Sequence, residues 1–198
     1  MPRTPLVAPD GYFARDDAFA PWRALLVVLA FWLVDIAVTV AWWLVPDVGY
    51  AWDAETVVSR LGSEPIAYRT VRMTVLYWLV PATVLYVLGY LRSGADRPFA
   101  GLVLGAWWLA RGLLAWLGSN LFLLVSYVLE FESPLPGGSV ILLPLAGFLL
   151  ATGWAAYVWR AGLEHAFDLD RSTATSTAVL AAGVCALLLV LEAGPAFV

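Results

Sequence analysis

The chain reads as an all-α integral membrane bundle of five transmembrane helices, and three observations carry that reading. Of its 198 residues 62% are apolar and only 13% charged, about half the charged fraction of an ordinary soluble domain. Mean hydropathy is +0.83, more apolar surface than a water-soluble fold of this size can hide. Five segments each hold the roughly 20 mostly apolar residues that cross a hydrocarbon core as a helix. They are 22–45, 70–91, 99–129, 139–160 and 175–192.

Residues 1–21 carry Arg3, Asp10, Arg15, Asp16 and Asp17 with no early apolar run. They are expected to form a cytoplasmic segment rather than a cleaved signal, the first span itself doing the targeting. Residues 22–198 then make one transmembrane domain without internal repeats. Between the first two spans, 47–69 has a helical pattern in which Asp53 can cap and Val57, Val58 and Leu61 share a face. This predicts an external amphipathic segment beside Tyr50 and Trp52. The third span is long enough to tilt or to bend near Gly112 or Gly118. It opens on a Gly101-x-x-x-Gly105 spacing that permits close helix packing. "LRSGADRPF" (91–99) and "FESPLPGGS" (131–139) are turn-rich connections, broken by Gly94 and Pro98 and by prolines and glycines respectively. The eleven tryptophans, many near span ends, suit interfacial belts.

All eleven basic residues are arginines, and their distribution predicts orientation. With a cytoplasmic N-terminus that side holds Arg3, Arg15, Arg23, Arg92, Arg97, Arg160 and Arg171, and the other holds Arg60, Arg69 and Arg72. The expectation is a cell-membrane protein with its N-terminus inside and its C-terminus outside. Arg15, Arg23, Arg92, Arg97, Arg160 and Arg171 are candidates for a ring that meets anionic lipid headgroups, and serve equally as plain topology determinants. A net charge of −4 without a basic patch argues against nucleic acid.

Little else points to chemistry. Cys185 is the single cysteine, so no intrachain disulfide or thiolate cluster is possible. His165 is the single histidine, and one imidazole with loop carboxylates makes a poor metal site. No metal or cofactor is therefore expected. "DGYFAR" (10–15) matches the opening of the CDP-alcohol phosphatidyltransferase signature. The aspartates that would hold its Mg²⁺ are replaced by Val28 and Trp32 or by Leu29 and Leu33, so the match is fortuitous.

Two charges lie inside predicted spans, Asp35 and Arg111, the latter in "WWLARGLLAWLG" (107–118). Each would cost about 2.5–3.5 kcal/mol unpaired at the bilayer centre. Arg23 to Asp35 and Phe99 to Arg111 are each twelve residues, which puts both charges about 18 Å from the cytoplasmic boundary. Pro81 withdraws the backbone donor that the Tyr77 carbonyl would otherwise use, at a similar depth. An intramembrane cluster of Asp35, Arg111 and Tyr77 is expected, with a buried Asp35–Arg111 ion pair tying helices one and three. Asn120, farther along helix three, is expected to bond to a neighbouring helix. As a structural tie the pair sets helix register; as a titrating site it would make the chain a small ion or proton transporter.

The layout resembles the Yip family of Ypt/Rab-interacting multi-pass proteins, above all its small prokaryotic members. "GYFARDDAFAPWRALLVVLA" looks like that family's aromatic approach to its first helix, and "LRSGADRPFAGLVLG" sits at its glycine-containing second connection. "GWAAYVWRAGLEHAFDLDRSTATSTAVLAA" is similar to its fourth-helix exit. Ser93-Gly94 stands where members often have a double glycine, and the Asp-Leu-Tyr-Gly-Pro-like motif of eukaryotic members is absent. The resemblance implies a non-enzymatic protein that organises membrane or binds partners, whether another membrane protein or a second copy of itself.

Overall fold

The computed structural model describes residues 5, 7–15, 17–44, 72, 74–111 and 139–193; within these, the side chains of 38–44, 139–144, 190, 192 and 193 are not described. Every regular element among them is helical. In chain order they are α1 (Pro9–Phe13), α2 (Pro21–Leu44), α3 (Val75–Ser93), α4 (98–111), α5 (Ser139–Phe167) and α6 (Arg171–Ala193). The expected external segment 47–69 and most of the third span beyond Arg111 lie outside the described residues, as does Asn120.

Among the described residues two helices, Val75–Ser93 and Arg171–Leu189, are long and apolar enough to cross a membrane, rather than the five expected. The other three expected spans, 22–45, 99–129 and 139–160, all run into stretches whose side chains are not described.

Local chemistry explains where the helices turn. α3 opens with a π-helical turn, Val75–Leu79, in which the Val80 N–H reaches the Val75 carbonyl. The wider turn directly precedes Pro81, which cannot donate to Tyr77, so the ladder is re-spaced where an α-helical bond is missing. α3 stops at Gly94, which adopts φ 70° and donates its N–H to Tyr90 O at 2.7 Å. Pro98 then opens α4 in the helix-starting position that suits a residue without an N–H. α5 ends at Asp168, with φ 51°. Two residues later the Asp170 carboxylate accepts the N–H groups of Ser172 at 2.9 Å and Thr173 at 3.1 Å, capping α6.

These bonds, with the Thr173 hydroxyl foremost, hold the Asp170 carboxyl down at about 2, against an ordinary 3.8. A depressed carboxylate stabilises the fold above its unfolded value, and that support drains away as pH falls from about 4 to about 2. The protection factors of the Ser172–Ala174 amides, exchange rates corrected for the intrinsic pH dependence, should therefore fall across that window. Asp170→Asn, whose neutral amide still accepts at a cap, should keep the protection at low pH. An equal fall in both proteins would show that the cap is not the titrating element.

α4 is the central helix. Ala100, Val103, Leu104, Ala106, Trp108 and Leu109 are all at most 3% exposed, so it is enclosed nearly all round. α3 packs antiparallel on it through glycines. A Cβ at Gly101 would meet Ala82 O at 2.7 Å, and one at Gly105 would meet Ala82 N and Trp78 O at the same distance. The Gly-x-x-x-Gly spacing is thus a backbone-to-backbone seam. α5 lies on another side of α4, with Leu104 seated against Gly162.

Two indoles bracket the same helix. Trp78 on α3 donates to Leu102 O at 2.9 Å, and Trp159 on α5 donates to Leu104 O at 2.7 Å. Trp108 and Trp159 stack with centroids 5.1 Å apart, both essentially buried. These three tryptophans serve the core, while Trp22 at the start of α2 is 51% exposed. A buried indole needs an acceptor, and helix carbonyls with a spare lone pair supply it.

α6 packs against α3 and α5 with a small-residue face, Ala174, Thr177, Ala178, Ala181, Ala182 and Cys185 all buried. Its opposite face carries Val179, Leu180, Val184, Leu187, Leu188 and Leu191, from 38% to 64% exposed. α2 also turns leucines outward, Leu25, Leu29 and Leu33, while its inner face carries Ala24, Val28 and Phe31. Water would not drive leucines outward on both helices. Leucine-rich outer faces, with small residues inside α6, suit a solvent that is itself apolar.

Candidate functional site

The candidate site has two parts: a buried arginine between α4 and α5, and an ion-paired collar where α1 meets the bundle. Arg111, at the end of the described part of α4, is 3% exposed. One amino group donates to Thr152 Oγ1 at 2.9 Å, and Thr152 passes its own hydroxyl proton to Phe148 O at 2.7 Å. The guanidinium carbon lies 4.0 Å from the Trp108 ring centroid and 4.9 Å from that of Phe148. Tyr77 and Cys185 are near enough to act on its charge, while Nε has no hydrogen-bond partner among the described residues. A delocalised cation sandwiched by aromatic faces loses less on leaving water than an ammonium would.

Of the expected cluster, Tyr77 acts on the Arg111 charge, and the acceptor seen for the guanidinium among the described residues is Thr152. Asp35 is half-buried on α2 and takes part in an interaction there. The tie expected between helices one and three instead runs from α4 to α5, through Thr152. A carboxylate is the obvious partner to seek for an arginine; a threonine hydroxyl backed by a helix carbonyl also supplies an acceptor, with no second charge to desolvate. The only sequence sign of it was a hydroxyl set among apolar residues in "LLATGW".

The collar involves residues expected to form a cytoplasmic segment. α1 folds back on the bundle with Tyr12 8% and Phe13 2% exposed, and Ala18 just beyond it is fully buried. Phe13 stacks on Phe19 at 5.4 Å, and Tyr12 sits edge-on to Trp107 at 6.1 Å. The "DGYFAR" stretch is therefore an aromatic plug.

Ion pairs hold the plug in place. Arg160 on α5 donates to both Asp10 oxygens at 3.0 Å and to Glu164 at 2.6 Å. Arg23 pairs with Asp17 and donates to the Tyr12 hydroxyl at 3.0 Å. The Arg23 hydrogen bond holds the Asp17 carboxyl below its ordinary range. Arg15 lies over the Tyr12 ring at 4.5 Å.

The expected headgroup ring thus divides. Arg15, Arg92, Arg97 and Arg171 are exposed. Arg160 is only 7% exposed and is committed to Asp10 and Glu164, so it is a clasp within the protein and not a headgroup contact. Arg23 likewise turns toward Asp17 and Tyr12, its side chain 15% exposed.

Because Asp10 is half exposed, the Asp10–Arg160 link should contribute about 1 kcal/mol, toward the upper end for an exposed pair. Asp10→Ala should accordingly open the plug about fivefold more often, read as faster proteolysis after Arg15 with an unchanged melting temperature for the rest of the bundle. An unchanged cleavage rate would mean that the aromatic contacts alone hold α1.

His165 is exposed. Among the described residues, His, Cys, Asp and Glu side chains nowhere gather in a group of three able to hold a metal ion. No protein-family model, curated protein or solved structure matches this chain.

Proposed function

We propose that this chain is a multi-pass integral membrane protein with a non-enzymatic, Yip-like role in organising membrane or binding a partner, its N-terminus cytoplasmic and its C-terminus outside. The observation that carries the reading is the inverted packing of α6, small residues facing the bundle and leucines and valines facing out, beside an α2 whose outer face is likewise leucine-rich. Two helices long and apolar enough to cross a bilayer add to it. Three of the polar side chains buried within the helices are spent on helix-to-helix or backbone bonds: Arg111 on Thr152, Trp159 on Leu104 O, Thr177 on Thr173 O. That expenditure supports scaffolding over chemistry, and a guanidinium 3% exposed supports a register tie over a transport site. The exposed arginines would meet anionic headgroups on the cytoplasmic side.

The test is alkaline extraction of native membranes, followed by side-specific thiol labelling of Cys185→Ser protein carrying Ala95→Cys or Leu169→Cys. The chain should stay with the membrane pellet, and both new cysteines should label from the cytoplasmic face. Release into the alkaline supernatant would end the membrane reading. Labelling from opposite faces would end the topology.

A further inference from the structure

Between α3 and α6 runs a furrow whose two ends differ in chemistry. Its deep part is lined by Thr83, Val84, Val87, Leu88, Leu180 and Val184, with the Thr83 hydroxyl turned to Leu79 O. Its mouth, which shares Leu180 with the deep part, is lined by Arg171, Ser172, Thr175, Ser176 and Val179. Arg92 reaches across from α3, its guanidinium donating to Ser176 Oγ at 3.2 Å, so two exposed arginines flank the mouth. From Ser176 to Val184 the furrow descends eight residues of helix, about 12 Å.

We propose that this furrow binds one anionic phospholipid, its phosphate between Arg92 and Arg171 and one acyl chain against Val87, Leu180 and Val184. The proposal deepens the headgroup reading above and rests on the chain being embedded in a membrane. The occupant follows from charge complementarity at one end and apolar lining at the other, joined at a single residue. The helix end itself is not the anion holder, since Asp170 already takes the N–H groups of Ser172 and Thr173. Thr175 and Ser176 likewise spend their hydroxyl protons on Arg171 O and Thr173 O. The donors left for a phosphate are guanidinium N–H groups, which suit its geometry in pairs.

Native mass spectrometry of the full chain in detergent, titrated with phosphatidylglycerol or phosphatidylcholine of matched chains, tests this. At about fivefold per arginine, phosphatidylglycerol should be preferred roughly 30-fold. Arg92→Gln with Arg171→Gln should abolish the preference. Arg15→Gln with Arg97→Gln, an equal charge change on exposed arginines away from the furrow, should leave it intact. Val184→Trp, filling the deep part, should weaken retention of phosphatidylglycerol at least threefold.

Equal loss in the two arginine pairs would overturn the furrow site while leaving a diffuse headgroup ring standing. No preference in the unaltered chain would overturn both. Competition by free glycerol phosphate or inorganic phosphate at concentrations matching the lipid would show an ion site and overturn the lipid assignment. Release of the chain in the alkaline extraction described above would fell the membrane reading independently of any of these.

Discussion

Gly105→Val is expected to destabilise the bundle strongly at the seam between α3 and α4. The new Cβ would sit 2.7 Å from Ala82 N and from Trp78 O, and backbone atoms cannot rotate out of the way as the end of a side chain can. Overpacking of a tight seam costs roughly 1–3 kcal/mol and at times more, and here α3 would have to lift from α4. The Trp78 indole bond to Leu102 O would be lost with it. We expect a loss of at least about 3 kcal/mol, a large part of the roughly 5–15 kcal/mol that keeps a domain folded. The reading is a thermal melt in detergent with size exclusion as a check on assembly. Gly153→Ala in α5 is the matched control, because nothing lies within 4 Å of its added methyl. There the change should be neutral or stabilising by up to about 1 kcal/mol, since alanine favours helix over glycine. Comparable losses in both variants would mean that the seam is not what distinguishes them.

Thr152→Val is expected to be the costliest isosteric change in α5. It removes the acceptor of the Arg111 guanidinium and leaves a charge 3% exposed without that bond. Hydrogen bonds to charged groups contribute about 1.5–3 kcal/mol, and we expect a loss in the upper half of that range. Arg111→Met should behave differently. It takes the buried charge away, keeps an unbranched side chain against Trp108, and leaves Thr152 satisfied on Phe148 O. Replacing a buried charge by a well-packed apolar group is often neutral or stabilising. The double variant Arg111→Met, Thr152→Val should return to within about 1 kcal/mol of the parent, a coupling that a double-mutant cycle measures. If the two losses simply add, the guanidinium and the hydroxyl are not partners. A folded Arg111→Met protein that changes an ion flux in vesicles would instead make the arginine functional.

Helix limits were well legible in the sequence, because apolar runs and breakers mark them directly. Spans expected at 22–45 and 175–192 correspond to Pro21–Leu44 and Arg171–Ala193. Gly94 and Pro98 bound the α3–α4 connection as their backbone preferences require. The Gly101–Gly105 spacing was visible too, though nothing in it told which helix would fill the groove. α5 outruns its expected end at 160 because Ala161, Leu163 and Phe167 are still buried, the ring of Phe167 closing on Gly89. An interior of protein, rather than lipid, continues the helix there.

The site was less legible, for a physical reason. Sequence reasoning looks for partners of opposite charge, and so sought Asp35 for Arg111, when a hydroxyl and two aromatic faces suffice. It also takes a charged stretch near a first span to be solvated. Asp10 and Arg160 are 150 positions apart, and no local pattern marks two such residues as neighbours. Tyr12 and Phe13, conspicuous in a charged stretch, were the available hint that it docks.

That clasp also sets an order of events during synthesis. Asp10 leaves the ribosome well before its arginine is made: at about 5–20 residues per second, the 150 intervening positions take roughly 8–30 s. Throughout that interval Tyr12 and Phe13 have no complete bundle to enter, since α2, α3 and α4 are still being added in turn. Closure of the plug is therefore a late step of biogenesis, possible only once α5 is in place, and a nascent chain stalled before Arg160 should carry an open, accessible leading segment.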